Sequence, residues 1–160
     1  LHEMADAHVI ELLSLETEPA CWRSFVSPHG TLEWLRSDLY AVTASGDYED
    51  HWFLEADRDT EHPPDVVKKA KVYQRYAATG AHQARHGLFP AVAWVVPDIG
   101  RQKALQAALA GDSAIQPELF RVVTVEDFRQ LIAGDQPDPP AEGQLQNQPI
   151  TTERRNVYGT

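Results

Sequence analysis

Apolar residues recur along the chain at two spacings, which predict helices near both ends and strands between them. Residues 2–15 place apolar side chains three and four positions apart, the spacing of an amphipathic helix. Residues 21–26 and 35–44 are typical of strands, and residues 48–57 form a further strand that returns from a turn at Ser45-Gly46-Asp47. The last two segments are therefore predicted to form a β-hairpin.

The second half of the chain alternates between helical and strand patterns. A helical pattern runs over residues 66–84, with Gly80 placed to split it, and residues 89–96 form the most apolar run, typical of a buried central strand. A helix over residues 99–110, a strand over 119–125 and a short helix over 126–133 follow. We expect Thr124 to cap the last helix.

This order of elements predicts an α/β (α+β) fold in which helices flank both faces of a central mixed sheet. From Gly134 onward the composition changes to Pro, Gln, Asp and Gly, with few large apolar residues. Such a segment cannot form a hydrophobic core by itself. We therefore expect one folded domain over residues 1–134 and a tail or linker over residues 135–160. Because the first residue is Leu1 rather than Met, we expect a further domain upstream.

Charge and composition exclude several classes of protein. The formal net charge of −10 argues against DNA binding through a broad basic surface. It does not argue against a metal-dependent nuclease, because bound cations partly neutralise the acids of such an enzyme. No run approaches the ~18 apolar residues of a membrane span, and no signal peptide is visible. With Cys21 as the only cysteine, internal disulfides are excluded, and a cytoplasmic location is expected.

Candidate chemistry centres on two acids in the hydrophobic run at residues 51–58. Successive strand side chains point to opposite faces, so Glu55 and Asp57 share one face. Burying Glu55 between apolar neighbours is costly unless a cation or another partner accompanies it. The predicted hairpin brings Asp38 close to Glu55, and Lys69 lies on the helix that follows. An acid pair beside a lysine can hold a divalent cation and stabilise a developing anion.

In order and spacing, these residues resemble the replication-relaxation family and, more broadly, the PD-(D/E)xK nucleases. The resemblance spans residues 8–131 and rests on His8, residues 37–42 and 53–61, Lys69, Tyr73, Tyr76, Phe89, Pro90 and Arg101. It implies a restriction-endonuclease-like three-layer fold and a role in plasmid or mobile-element replication or relaxation. DNA is the implied partner, and a winged-helix domain is implied upstream.

The resemblance also implies roles for individual residues. The implied catalytic residues are Asp38, Glu55, Asp57 and Lys69. The implied ligands of Mg²⁺ or Mn²⁺ are Asp38, Glu55, Asp57 and His8, and the implied substrate-binding residues are Tyr73, Arg101 and Lys71. Two positions depart from the nuclease pattern, because Ser37 replaces a proline and Asp57 replaces the lysine. We therefore expect Lys69 to act as the lysine.

Three functions remain open at this point. The first is a Mg²⁺-dependent DNA endonuclease or nickase. The second is a non-catalytic DNA-binding or replication-accessory module on a nuclease-like fold, which Asp57 in the lysine position favours. The third is an interaction domain that forms homodimers or binds another protein.

Overall fold

A mixed sheet with helices on both of its faces forms the centre of the protein. The computed structural model describes residues 1–59, 61–133 and, for the backbone, 155–156. In chain order its strands are β1 (Glu11–Thr17), β2 (Arg23–Val26), β3 (Leu32–Leu35), β4 (Leu39–Ser45), β5 (Tyr48–Ala56), β6 (Ala91–Val96), β7 (Phe120–Thr124) and β8 (Arg155–Asn156). The helices are α1 (His2–Asp6), α2 (Pro63–Ala78), α3 (Ala81–His86), α4 (Ile99–Ala110) and α5 (Val125–Ala133), with a 3₁₀ turn at Pro117–Leu119.

The order of the central strands is β1-β4-β5-β6-β7. Strands β4 and β5 are antiparallel and joined at Gly46, whose φ of 59° suits a tight hairpin turn. Strands β5, β6 and β7 are parallel, and the helices between them return the chain to the same end of the sheet. The predicted mixed sheet and its flanking helices are confirmed.

Side chains of β5 alternate between two hydrophobic cores, one on each face of the sheet. Phe53 packs with Tyr73 of α2 and with residues of α4 on one face. Trp52 and Leu54 pack with Phe128 of α5 on the other face. Glu55 and Asp57 share the face of Phe53, as the two-residue period requires.

The predicted helix over residues 2–15 is wrong. Helix α1 ends at Asp6, and β1 begins at Glu11 and pairs antiparallel with β4. The register between these strands shifts between Leu12 and Ser14. This bulge places Leu12 and Leu15, which are three positions apart, against the same core and so imitates the spacing of a helix.

Other predicted boundaries shift less. The strand predicted over residues 35–44 divides, because Leu35 ends β3 and pairs with Arg23 in a separate two-stranded sheet. The helical pattern over residues 66–84 is two helices that separate at Gly80, where φ is 68°. Thr124 Oγ1 accepts the backbone N–H of Asp127 at 3.2 Å, which confirms the predicted cap.

The two ends of the chain differ in what the structure describes. The predicted tail over residues 135–160 lies outside the described residues except for Arg155–Asn156, which pair with the start of β5 at Tyr48 and Glu49. Within the described part of the chain, no helix combines the length and the apolar character that crossing a bilayer requires.

Candidate functional site

The antiparallel directions of β4 and β5 bring two acids together at one end of these strands. Strand β4 runs opposite to β5, so the residue that precedes β4 lies beside the end of β5. That residue is Asp38, and its Oδ2 accepts the backbone N–H of Ala56 at 2.7 Å. Asp38 is thereby held next to Glu55, as the hairpin predicted.

Glu55 is buried and is held by two side chains of α2. Its side chain is 3% exposed, and Lys69 Nζ donates to its Oε2 at 2.5 Å. The Tyr73 hydroxyl donates to the other oxygen, Oε1. Lys69 and Tyr73 are four residues apart and therefore lie on the same side of the helix. Lys69 and Tyr73, two of the candidate residues on this helix, therefore both contact Glu55.

Burial controls the protonation of this cluster. Burial raises the pKa of Glu55 to about 7; the bonds from Lys69 and Tyr73 oppose this shift, and the charge of Asp38 adds to it. Burial disfavours the charged form of Lys69, but Glu55, Asp38 and Glu61 together raise its pKa above the ordinary value. Burial and the charge of Glu55 raise the pKa of Tyr73 well above its usual range. Tyr73 is thus a neutral hydrogen-bond donor.

The cluster borders a small cleft of about 140 Å³. The cleft is lined by Asp38, Glu55, Ala56, Asp57, Arg58, Glu61 and Trp94. Trp94 pairs with Glu55 in the parallel β5–β6 register and is fully buried. Its indole Nε1 has no acceptor among the described residues. A buried donor without an acceptor is costly, so this N–H is a hydrogen-bond donor that the described residues leave unused.

Trp94 lines the cleft, and the sequence analysis did not identify it. The available signal was one polar atom, the indole nitrogen, within the most apolar strand. That signal is weak until the strand register is known, because tryptophan is abundant in cores for its apolar surface.

Asp57 and Arg101 form a separate ion pair beside the cleft. Arg101 donates from Nε to Asp57 Oδ2 at 2.6 Å and from Nη2 to Oδ1 at 3.3 Å. The Asp57 side chain is 0% exposed and the Arg101 side chain is 8% exposed. The guanidinium also donates to the Glu61 carbonyl at 2.6 Å, and the Asp59 N–H donates to Asp57 Oδ1 at 2.8 Å. Both carboxylate oxygens of Asp57 and the guanidinium of Arg101 are therefore engaged within the protein.

The structure does not bring His8 or Lys71 to this cluster. His8 lies in the turn before β1, and its Nδ1 is 3.0 Å from the Asp6 carbonyl. Its neighbours include Ala44 and Gly46, at the end of β4 opposite to Asp38. The expected convergence of His8 with the acids depended on the N-terminal helix, which is wrong. Lys71 Nζ pairs with Asp112 Oδ2 at 2.7 Å, beyond the end of α4.

Comparison with known proteins identifies the family. Neither a curated protein nor a solved structure matches the chain. The sequence profile of the replication-relaxation family matches residues 4–92, a segment that includes Asp38, Glu55, Lys69 and Tyr73. This segment is more than half of the 160 residues, and the protein belongs to the replication-relaxation family.

Proposed function

We propose that this protein is a metal-dependent DNA endonuclease or nickase that acts on plasmid or mobile-element DNA. Its family implies a role in replication or relaxation. The nuclease proposal depends on one observation, which is that Asp38, Glu55 and Lys69 meet at one end of the central strands. Asp38 directly precedes β4, Glu55 lies on β5 and Lys69 lies on α2. Two acids and a lysine in a cleft are the groups that phosphodiester hydrolysis uses.

The mixed sheet supports a finer assignment of the fold. We assign it to the restriction-endonuclease-like class, because a hairpin supplies the two acids and a helix on the same face supplies the lysine. Strand β5, which carries Glu55, lies at the centre of the sheet. This position holds the carboxylate on a rigid element, as a catalytic site requires.

The acids fit a hard divalent cation such as Mg²⁺ or Mn²⁺. Asp38 uses Oδ2 to accept the Ala56 N–H, and each oxygen of Glu55 accepts one hydrogen bond from α2. A carboxylate oxygen has two lone pairs, so both side chains retain acceptor capacity toward the cleft. Mg²⁺ prefers such oxygen ligands, and when bound it neutralises phosphate charge and activates water. Asp57 is left out of the proposed ligand set because it accepts three hydrogen bonds, two from the bidentate guanidinium of Arg101 and one from the Asp59 N–H, whereas Glu55 accepts only two.

Each remaining residue of the cluster has a proposed task. The Lys69 ammonium is a compact charge that stabilises the negative charge developing on the phosphate. The Tyr73 hydroxyl holds Glu55 in one orientation. The buried Trp94 N–H donates to an oxygen of the substrate or of a water in the cleft. Arg101 is left out of DNA binding because it is buried against Asp57, and Lys71 is left out because it pairs with Asp112 and does not line the cleft.

A second candidate function is a non-catalytic DNA-binding or replication-accessory module. The specific observation in its favour is that both oxygens of Glu55 are already bonded, to Lys69 and Tyr73. A second observation is that Asp57 occupies the position of the nuclease lysine and is tied to Arg101. In this alternative, the acid–lysine cluster stabilises the sheet edge instead of performing hydrolysis.

A plasmid-nicking assay separates the two functions. Supercoiled plasmid is incubated with the protein and Mg²⁺ or Mn²⁺, beside the variants Asp38→Asn and Glu55→Gln. Glu11→Gln is the matched control, because Glu11 is an exposed acid at the opposite end of the sheet. Metal-dependent open-circle product that both site variants lose, and that the control retains, supports the nuclease. If the unmodified protein binds DNA but yields no product with either metal, the accessory function replaces it.

A further inference from the structure

Three histidines converge on the same face of the sheet as Glu55 but at a different place. His51 lies on β5, and His82 and His86 lie on α3. One ring nitrogen from each lies within 4.8 Å of the ligand nitrogens of the other two. The rings of His82 and His86 have centroids 4.4 Å apart. His51 and His82 are 7% and 2% exposed, so the cluster lies within the protein.

Local structure explains why these side chains meet. His82 and His86 are four residues apart, which places them on one side of α3. Gly80, with φ of 68°, ends the continuity of α2 and allows α3 to begin in a new direction. His51 shares its face of β5 with Phe53 and Glu55. About four residues of strand, roughly 13 Å, separate the histidines from the acid cluster.

His82 has a buried nitrogen that the protein does not satisfy. Its Nε2 has no hydrogen-bond partner among the described residues. Such a group costs free energy unless it finds a ligand. Burial, followed by the neighbouring His86 and His51, lowers the pKa of His82 to about 3. Burial also lowers the pKa of His86. Both shifts favour the neutral imidazole over its charged form.

His51 is oriented by two further side chains. Its Nδ1 is 2.6 Å from the Tyr40 hydroxyl, and its Nε2 is 2.8 Å from Glu49 Oε1. Both ring nitrogens are therefore engaged, so a metal bound to one of them displaces Tyr40 or Glu49 and leaves the other to orient the ring. Glu49 supplies a carboxylate beside the cluster.

We propose that His51, His82 and His86 form a binding site for a divalent transition-metal ion of the zinc class. Imidazole nitrogens suit Zn²⁺, Co²⁺ and Ni²⁺, whereas Mg²⁺ prefers oxygen ligands, so this site is chemically distinct from the acid cluster. Ligands of a tetrahedral zinc ion at about 2.0–2.1 Å lie about 3.3 Å from one another. The candidate nitrogens lie within 4.8 Å of one another, so binding an ion requires them to approach by up to about 1.5 Å.

The bound ion would fasten α3 to β5. Helix α3 has six residues, of which only His82 is buried. So short a helix is marginal without tertiary support. A three-histidine site leaves one position of a tetrahedral ion for water. The inference goes beyond the proposed nuclease function, because neither the ligands nor the type of ion are shared with it.

Metal titration of the full chain tests this site. Protein stripped with a chelator is titrated with Zn²⁺ by calorimetry and with Co²⁺ by visible absorption, whose intensity reports whether the bound ion is tetrahedral. We expect one equivalent to bind and to raise the midpoint of thermal unfolding. His86→Gln is expected to weaken Zn²⁺ binding more than 100-fold, and Glu49→Gln by roughly 10- to 100-fold. His86 is only partly buried, so its variant is the safer one to fold.

Two controls separate this site from others. His29→Gln removes an exposed histidine from the turn before β3 and is expected to retain full binding. Glu55→Gln is expected to retain zinc binding too, so that failure of the nuclease proposal leaves this one testable. The proposal is overturned if the unmodified protein binds neither Zn²⁺ nor Co²⁺. It is also overturned if His86→Gln, shown to be folded by circular dichroism, binds them as tightly as the unmodified protein.

Discussion

Lys69 and Glu55 form an ion pair across the interface between α2 and β5, with Nζ and Oε2 2.5 Å apart. The carboxylate is 3% exposed and the lysine side chain 24% exposed, so water screens this pair only weakly. In the proposed nuclease function, Lys69 on the helix takes the place of the lysine that the nuclease pattern has on the strand. The variants below measure how much the partners of the buried acids contribute to stability.

Removing Lys69 is expected to destabilise the protein strongly. Lys69→Met leaves the buried carboxylate of Glu55 without its cation, and we expect a loss of about 3 kcal/mol in the free energy of unfolding at pH 8. Lys68→Met is the matched control, because Lys68 and its partner Asp65 are 76% and 52% exposed and such a pair contributes about 0–1 kcal/mol. Urea denaturation measures both. Adding Glu55→Gln to Lys69→Met is expected to recover part of the loss. Equal costs for the two lysine variants would contradict this account.

Removing the Tyr73 hydroxyl is expected to weaken the orientation of Glu55. Tyr73→Phe deletes one donor to a buried carboxylate, and hydrogen bonds to charged groups contribute about 1.5–3 kcal/mol. Tyr76→Phe on the same helix is the control, since Tyr76 packs against Phe53 and Phe89. Thermal and urea unfolding should show a clearly larger loss for Tyr73→Phe. A loss confined to Tyr76→Phe would refute the assigned role of the hydroxyl.

Removing Arg101 is expected to lower stability without lowering DNA affinity. Arg101→Met leaves the buried carboxylate of Asp57 unpaired, which we expect to cost about 3–5 kcal/mol. Arg58→Met, at an exposed position on the rim of the same cleft, is expected to have a small effect on stability. Urea denaturation is combined with fluorescence anisotropy on a DNA duplex at a temperature where both variants are folded. A selective loss of DNA binding in Arg101→Met would restore the phosphate-binding role that the sequence suggested.

The stability of the protein is expected to carry a pH signature of Glu55. The pKa of this carboxyl rises from 4.5 to about 7 on folding. Between those values the unfolded chain binds fewer protons at this position than the folded protein, so stability falls as pH rises. The contribution is present below about pH 4.5 and is lost as pH rises through 7.

The measurement is urea denaturation from pH 5 to pH 8 with chelator present, for the unmodified protein and for Glu55→Gln. The difference between the two free energies of unfolding isolates Glu55, because other titrating groups contribute equally to both. We expect the free energy of unfolding of the unmodified protein to fall, relative to that of Glu55→Gln, as pH rises. A difference that is constant, or that moves the other way, would show that the carboxyl is ionised throughout this range.

Much of the site followed from local pattern. The apolar neighbours of Glu55 predicted that it needs a partner, and the hairpin pattern placed Asp38 beside it. Lys69 and Tyr73 were predicted on the helix that covers this face. These predictions depend on spacing along the chain and on the direction of strands, which are local properties.

Other features depended on contacts between distant residues. The bulge in β1 imitates a helical spacing, and only its pairing with β4 distinguishes the two. Asp57 resembles a metal ligand in the sequence, but Arg101, 44 residues away, occupies its oxygens. His51 meets His82 and His86 only because α3 folds back over β5. The residues of each of these contacts lie too far apart in the sequence for a local pattern to relate them.

The sequence by itself therefore determined the mixed α/β class, the family and the acid–lysine candidates, because hydrophobic periodicity and residue spacing carry that information. The tertiary structure alone decided which charges are free to act. It paired Asp57 with Arg101, Lys71 with Asp112 and Glu55 with Lys69, and it left the Trp94 N–H without an acceptor among the described residues. The reason is physical, since the cost of burying a charge is decided by the partner that packing brings to it.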